Sequence, residues 1–258
     1  MNMIALLTDF GTADYYVGAM KGVILSINSD VTIVDISHEI EPQNINAASF
    51  TLRSCYRNFP PKTIFAAIVD PGVGSDRNAI LIETENYRFI APDNGILSFV
   101  FNGTEKSRVF ELTNDKFFLP SISRTFHGRD VFAPCAAHLS NGAALEEFGE
   151  EILGFVCYKE LKPKATSENE IEASIINIDR FGNIVTNLES TNTPEKFVLD
   201  INGNLIEKLY RHYSEAGDSE AFMIWGSAGY LEISAYRDSA AKALGAVNGQ
   251  KIKLRRKP

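Results

Sequence analysis

The stretch IVDPGVGSDRNAI, residues 68–80, ends an apolar run on Asp70, turns through Gly72 and Gly74, and supplies Arg77 before a second apolar run begins. Glycines and Pro71 account for the turn, because they take the backbone angles a tight reversal needs. They do not account for a carboxylate and a guanidinium beside it. Such a pair either ties the turn as an ion pair or faces a reacting molecule. In TFHGRDVFAP, His127 stands just before a helical stretch and is followed by a glycine. A histidine that titrates near neutrality can take a proton from a nucleophile. His127 would join Asp70 and Arg77 in that chemistry only if the fold brings them together. His38, His138 and His212 read as structural.

Other polar residues follow apolar runs, where an open parallel sheet binds its ligands. Asp9 opens the loop DFGTAD and Asp14 closes it. A carboxylate can accept from both vicinal hydroxyls of a ribose, but Asp14 is equally well placed to cap the helix that follows. In DRFGNIVTNL, an asparagine such as Asn183 can meet a purine edge and a ring such as Phe181 can cover its face. Taken alone, that stretch with Asp179 is a turn. WGSAGYLEISAY, with Ser227 and Glu232, is a turn and a strand.

The elements that must position these groups fall into two regions. MIALLTDF, VTIVDIS and TIFAAIVD read as strands separated by the helical spacings of DYYVGAMKGVILSI and NINAASFTLRSCYRNF, an alternation that predicts a parallel sheet covered by helices. AILIET and YRFIAP read as a hairpin, NGILSFVF as a short helix, and RDVFAPCAAHLSNG as a helix ended by Gly142. Beyond the charged stretch YKELKPKATSENE come short strands separated by Asn, Gly and Ser turns. The expected organisation is an α/β N-terminal domain with a mainly parallel sheet over 1–160, a linker over 161–170, and a smaller all-β, barrel-like domain over 171–258.

Composition narrows the partners. The chain of 258 residues has 25 Lys+Arg against 33 Asp+Glu, so no general positive field attracts nucleic acid. The basic end KIKLRRKP reads as a last strand running into solvent. No apolar stretch is long enough to span a bilayer, and the opening MNMIALLTDF lacks the positive region of a secretion signal. Cys55, Cys135 and Cys157, odd in number, read as free buried thiols of a cytoplasmic protein. Without CxxC or HExxH, no metal is expected. Without GxxxxGK[ST], and with GVG leading into a strand, a phosphate ligand is disfavoured. A nucleoside-like ligand without phosphates remains open.

Taken together, TDFGTADYYVGAMKG, VDPGVGSDR, IAPDNGIL, TFHGRDVFAP, DRFGNIVTN and GSAGYLEIS resemble the S-adenosyl-L-methionine (SAM) hydroxide adenosyltransferases, relatives of the SAM-dependent fluorinase and chlorinase. The resemblance runs in order over nearly the whole chain. It implies a homotrimer with sites between the N-terminal domain of one subunit and the C-terminal domain of the next. Asp70, Arg77 and His127 match the family's water-activating set, and Asp9 its ribose-binding acid. Asn183, Ser227, Glu232 and the backbone at Ala235 match adenosine-binding positions. Asp14 and Asp179 match residues near the methionine part, and Phe181 and Tyr213 fall where rings face the base.

The halogenating relatives carry Tyr in place of Asp70 and Ser in place of Gly128. The resemblance therefore implies SAM hydrolysis to adenosine and L-methionine, with SAM as substrate and no cofactor. A halide-using transferase and a SAM or adenosine sensor without turnover are the alternatives.

Overall fold

The computed structural model describes residues 2–101, 106–158 and 162–257. The chain divides into two compact units, Met1–Lys159 and Glu160–Pro258.

In the first unit, β1 (Met3–Thr8), β2 (Thr32–Ser37), β3 (Ile64–Ile68), β4 (Ala79–Glu83), β5 (Arg88–Pro92) and β6 (Arg108–Glu111) form one sheet in the order β2-β1-β3-β5-β4-β6. The sheet is mixed: β2, β1, β3 and β5 pair in parallel, and β4 pairs antiparallel with both β5 and β6. The reversal has a local cause, because β4 and β5 are joined by the tight turn Thr84–Tyr87, too short for a parallel crossover. It also has a consequence for chemistry. β4 begins at the sheet edge where β1, β3 and β5 end, so Arg77, just before β4, stays beside Asp70, just after β3.

Both faces of this sheet are covered. Ile4, Leu6, Ile64, Ala66, Ile68 and Leu81 pack under α1 (Tyr16–Ile27) and α4 (Ala133–Ser140). Ala5, Leu7, Phe65, Ala67, Val69 and Ile80 pack with α2 (Ile45–Cys55) and α3 (Ser98–Phe101). Alternate residues of one strand thus enter different cores, which is why β3 reads as a continuous apolar run. Each large side chain buried there contributes about 1.5–3 kcal/mol.

Two helices differ from the sequence expectation. α1 starts at Tyr16 after an N-cap position, Tyr15, that has no side-chain cap bond; Asp14 is exposed one residue earlier. The helix expected from Arg129 opens as a wide π turn, Gly128–Phe132, before α4. Pro134 explains the change. It has no N–H to give the carbonyl of Asp130, and that carbonyl accepts from Leu119 N–H instead at 2.9 Å.

In the second unit, β8 (Glu170–Ile178), β9 (Ile184–Glu189), β10 (Phe197–Ile201), β11 (Asn204–Ile206), β12 (Leu209–Tyr210), β13 (Ala221–Trp225), β14 (Tyr230–Ala235) and β15 (Lys251–Arg256) follow the order β11-β10-β15-β8-β9-β14-β13-β12. Register shifts in β8 at Ile175/Asn177 and in β14 at Tyr230/Glu232 bend the sheet. It curls into a half-barrel that brings β11 against β13. α5 (Ala240–Leu244) closes its core. The expected linker begins outside the described residues, and within it β7 (Lys164–Ala165) pairs with β8.

β15 does not run out into solvent: it lies between β10 and β8, with Ile252 and Leu254 inward. The thiols are free, but only Cys135 is buried; Cys157 is exposed. Among the described residues no helix is long and apolar enough to cross a membrane, and no group of three or more His, Cys, Asp or Glu residues could hold a metal ion.

Candidate active site

The turn after β3 is closed by its own backbone and by Ser75, whose hydroxyl donates to the carbonyl of Gly72 at 2.7 Å. Gly74 is required twice over. Its φ is +78°, and a Cβ there would stand 2.2 Å from the carbonyl oxygen of Arg124. The turn therefore packs directly on the segment leading to His127. Arg77 Nε donates to both carboxylate oxygens of Asp70, at 3.0 and 3.1 Å, and Nη2 donates to Oδ2 at 2.5 Å. The same Nη2 lies 3.0 Å from Nδ1 of His127. The Asp70 and Arg77 side chains are only 5% and 12% exposed, so the pair is desolvated and neither partner is easily lost.

Arg77 is thus the bridge: it holds Asp70 with one edge and His127 with a corner. Its π face also stacks over Phe132, 5.2 Å from the ring centre. A guanidinium can only donate, so Nδ1 of His127 accepts, and the neutral ring carries its proton on Nε2. Burial, and then the Arg77 charge, hold the imidazole below its ordinary pKa, against an opposing pull from Asp70 and Asp130. Asp130, fully buried, ties the His127 approach by accepting from Ser123 N–H at 2.8 Å and from Arg129 at 2.6 Å.

Aromatic packing joins this corner to the Asp9 loop. Phe10, Tyr16 and Phe126 meet with ring centres 5.0–5.8 Å apart. A Cβ on Gly128 would stand 3.2 Å from the Phe10 ring and 3.3 Å from Met20 Sδ, so the bare glycine lets Phe10 close in. Asp9 is half-buried and accepts from the backbone N–H of Gln43 at 2.8 Å through Oδ2, leaving Oδ1 for another donor. His38 is buried behind the loop, with Nδ1 2.8 Å from the Thr8 hydroxyl and its carbonyl accepting from Gly11 N–H. That is the structural role read for it.

The remaining expected residues lie in the second unit. Asp179 organises the turn after β8: Oδ1 accepts from the N–H groups of Phe181 and Asn183 at 2.8 and 2.9 Å, and Oδ2 from Asn183 Nδ2 at 2.8 Å. Both its oxygens are therefore engaged in holding Asn183. Phe181 is left 72% exposed. A cleft of about 690 Å³ gathers Phe181, Asn183, Tyr213 and Ala235 with Tyr236, Arg237 and Lys242.

Glu232 sits at the β14 register shift, its carboxylate so close over Gly226 that a Cβ there would be 1.8 Å from Oε1. Burial, and then the charge of Asp179, push the Glu232 carboxyl above its ordinary pKa. The Tyr213 hydroxyl lies 3.5 Å away, and burial with the Glu232 charge raises it too. Ser227 is exposed in the turn between β13 and β14. Arg237, at φ +59° in the cleft wall, carried no recognisable signal in the sequence.

Models of the SAM hydroxide adenosyltransferase N-terminal and C-terminal domains match residues 4–149 and 173–253. The chain is 37% identical to an (R)-S-adenosyl-L-methionine hydrolase of Methanocaldococcus jannaschii over 95% of this chain and 92% of the relative. It is 32% identical to a protein of the same name from Thermus thermophilus, over 98% and 100%. A fluorinase of Actinopolyspora mzabensis is more distant, at 27% identity over 98% and 97%. A crystal structure of a conserved Thermotoga maritima protein superposes with a TM-score of 0.91 at 35% identity, covering 98% of this chain and all of that one. On its matches along both units, and on relatives similar over nearly its whole length, the chain belongs to the SAM hydroxide adenosyltransferase family.

Proposed function

We propose that the protein hydrolyses SAM to adenosine and L-methionine, and that Asp70, Arg77 and His127 activate the water. The observation that carries the assignment is the single guanidinium of Arg77 holding both Asp70 and Nδ1 of His127, in a chain whose relatives at 32–37% identity are named (R)-SAM hydrolase. Water oxygen attacks the ribose C5′, the C5′–S bond breaks, and its electron pair stays on sulfur, so methionine leaves as a neutral thioether needing no proton. Water loses one proton. In the neutral ring only Nδ1 of His127 can receive it, so the water takes the place of the Arg77 Nη2 contact there while Arg77 keeps its bonds to Asp70. Arg77, fixed and cationic, favours hydroxide character as the proton moves. A general base of this kind is worth roughly 10²- to 10⁴-fold.

Asp9 is assigned to the ribose hydroxyls. Asn183, Ser227, Glu232 and the Ala235 backbone are assigned to adenosine, Phe181 and Tyr213 to the faces of the base, and Asp14 and Asp179 to the region of the methionine. The cleft containing Phe181, Asn183, Tyr213 and Ala235 supports the base assignment. The bonds that Asp179 makes to its own turn give it an indirect part, through Asn183. The reading takes SAM as substrate without a cofactor, a cytoplasmic location, a barrel-like second domain and a homotrimer. Mixing Asp70→Ala chains with Asn183→Ala chains should restore activity if sites draw on two subunits; no recovery after proven subunit exchange argues against sharing.

Incubating purified protein with SAM tests the function. Adenosine and methionine in equal amounts are expected, and no 5′-chloro-5′-deoxyadenosine with added chloride. The chlorinated product would instead assign a halide transferase, and retained SAM without turnover a sensor. Gly128 stands where the halogenating relatives carry serine, and a Cβ there would press on Phe10 and Met20, so this chain has no hydroxyl at that position to offer a halide.

A further inference from the structure

The turn Pro92–Leu97, from the sequence stretch IAPDNGIL, has no part in the reaction as described, yet it touches both ends of the Asp70–Arg77 loop. Asn94 Nδ2 donates to the carbonyl of Val69 at 2.8 Å. Val69 is fully buried and directly precedes Asp70. Asp93 N–H donates to the carbonyl of Asn78 at 2.9 Å, directly after Arg77, and Arg77 Nη1 donates to that same carbonyl at 3.3 Å. One turn thus grips the backbone immediately before the carboxylate and immediately after the guanidinium.

We infer that Asn94 is a positioning residue, which holds Asp70 and Arg77 in register with His127 through the Val69 carbonyl. Its own conformation is fixed: Oδ1 accepts from Ile96 N–H at 3.2 Å, an Asx turn. The next residues are fixed in their turn by the end of the first unit. Val156 N–H donates to Asp93 Oδ1 at 2.7 Å, Tyr158 N–H donates to the Ser98 hydroxyl at 2.9 Å, and the Tyr158 ring fills the space over Gly95, where a Cβ would meet it at 2.2 Å. Without the Asn94 bond, a buried carbonyl loses its donor, and the loop end is free to drift. A misplacement of about 1 Å at a reacting group can cost about 10²-fold in rate.

The kinetic part of this inference rests on the hydrolase reading, so the test carries a second, reaction-independent arm. Asn94→Ser keeps a side-chain acceptor for Ile96 but cannot reach Val69. The matched control is Asn141→Ser, which removes another asparagine bond to a carbonyl, that of Ile27 at 2.8 Å, at the far end of α4. For Asn94→Ser, kcat per folded molecule is expected to fall about 10- to 100-fold with KM for SAM within about twofold of the parent. The ring ¹⁵N signals of His127, one of four histidines, are expected to shift. Asn141→Ser should change neither.

Parental kcat with an unmoved His127 signal in Asn94→Ser overturns the inference, as does an equal loss in both variants. If the parent does not hydrolyse SAM, the hydrolase reading fails and the His127 signal alone decides the positioning role. If Asn94→Ser does not fold, Asn94→Asp, which also keeps the Ile96 acceptor, is measured by kinetics, and parental kcat there overturns it.

Discussion

Nη2 of Arg77 lies 3.0 Å from Nδ1 of His127 while the same group donates to Asp70, so the ring meets the cation of the pair at Nδ1 and not the carboxylate. Burial and the Arg77 charge lower its pKa. If the neutral ring works, kcat/KM should hold as pH falls past about 6.5, the ordinary histidine value, and drop only as pH passes the depressed pKa. In Arg77→Met the lowering charge is gone and Asp70 remains, so the acid limb should move to higher pH. A limb that stays in place removes His127 titration from the rate. Stability has the same sign: with the folded pKa below the unfolded one, the His127 contribution is complete above about 6.5 and is lost as pH falls through the folded pKa.

If the imidazole acts on water, as proposed, His127→Ala should lower kcat by roughly 10²- to 10⁴-fold with SAM affinity nearly unchanged. The rate is to be measured per folded site beside a melting curve. A variant that melts early yet turns over at the parental rate when folded would make His127 a packing residue and leave the water to Asp70 and Arg77.

Asp9→Ala should weaken adenosine binding by about 1.5–3 kcal/mol, the typical cost of removing a charged hydrogen-bond partner. The Gln43 N–H loses its acceptor as well, so the melting temperature must be followed alongside calorimetry. Reduced stability with parental adenosine affinity would confine Asp9 to bracing the loop.

Gly74→Ala should destabilise the protein by about 1–3 kcal/mol, the usual cost of a forced backbone conformation, since the new methyl meets the Arg124 carbonyl at a strained φ. Urea unfolding should show a lower midpoint. An unchanged midpoint and slope would mean that the turn relaxes away from the His127 segment without cost.

Much of this arrangement is legible in the residues. β3 shows as an unbroken apolar run because both its faces are buried, and the hairpin of β4 and β5 shows in its short turn. β11 and β12, three and two residues long, are too short to carry a period. The π turn at Gly128–Phe132 depends on where the orphaned Asp130 carbonyl finds a donor, and that donor, Leu119, is distant in sequence. Asp70, Arg77 and His127 stand out by residue type beside glycines. Asn94 does not, because its partner is a backbone carbonyl, identical in every residue. Asp14 matched a cap by type, but the helix begins two residues later and leaves it exposed.

The seating of Val156 and Tyr158 on the Asp93–Ser98 turn decides where the gene can be cut. The N-terminal family match stops at residue 149, a natural place to end an isolated fragment. A fragment cut there would expose Gly95 and leave Asp93 without its Val156 donor, although every residue of the Asp70, Arg77 and His127 set would be present. Extending the fragment to Tyr158 restores those contacts with nine more residues, so the shorter piece is the one expected to express with a loosened turn beside Asp70 and Arg77.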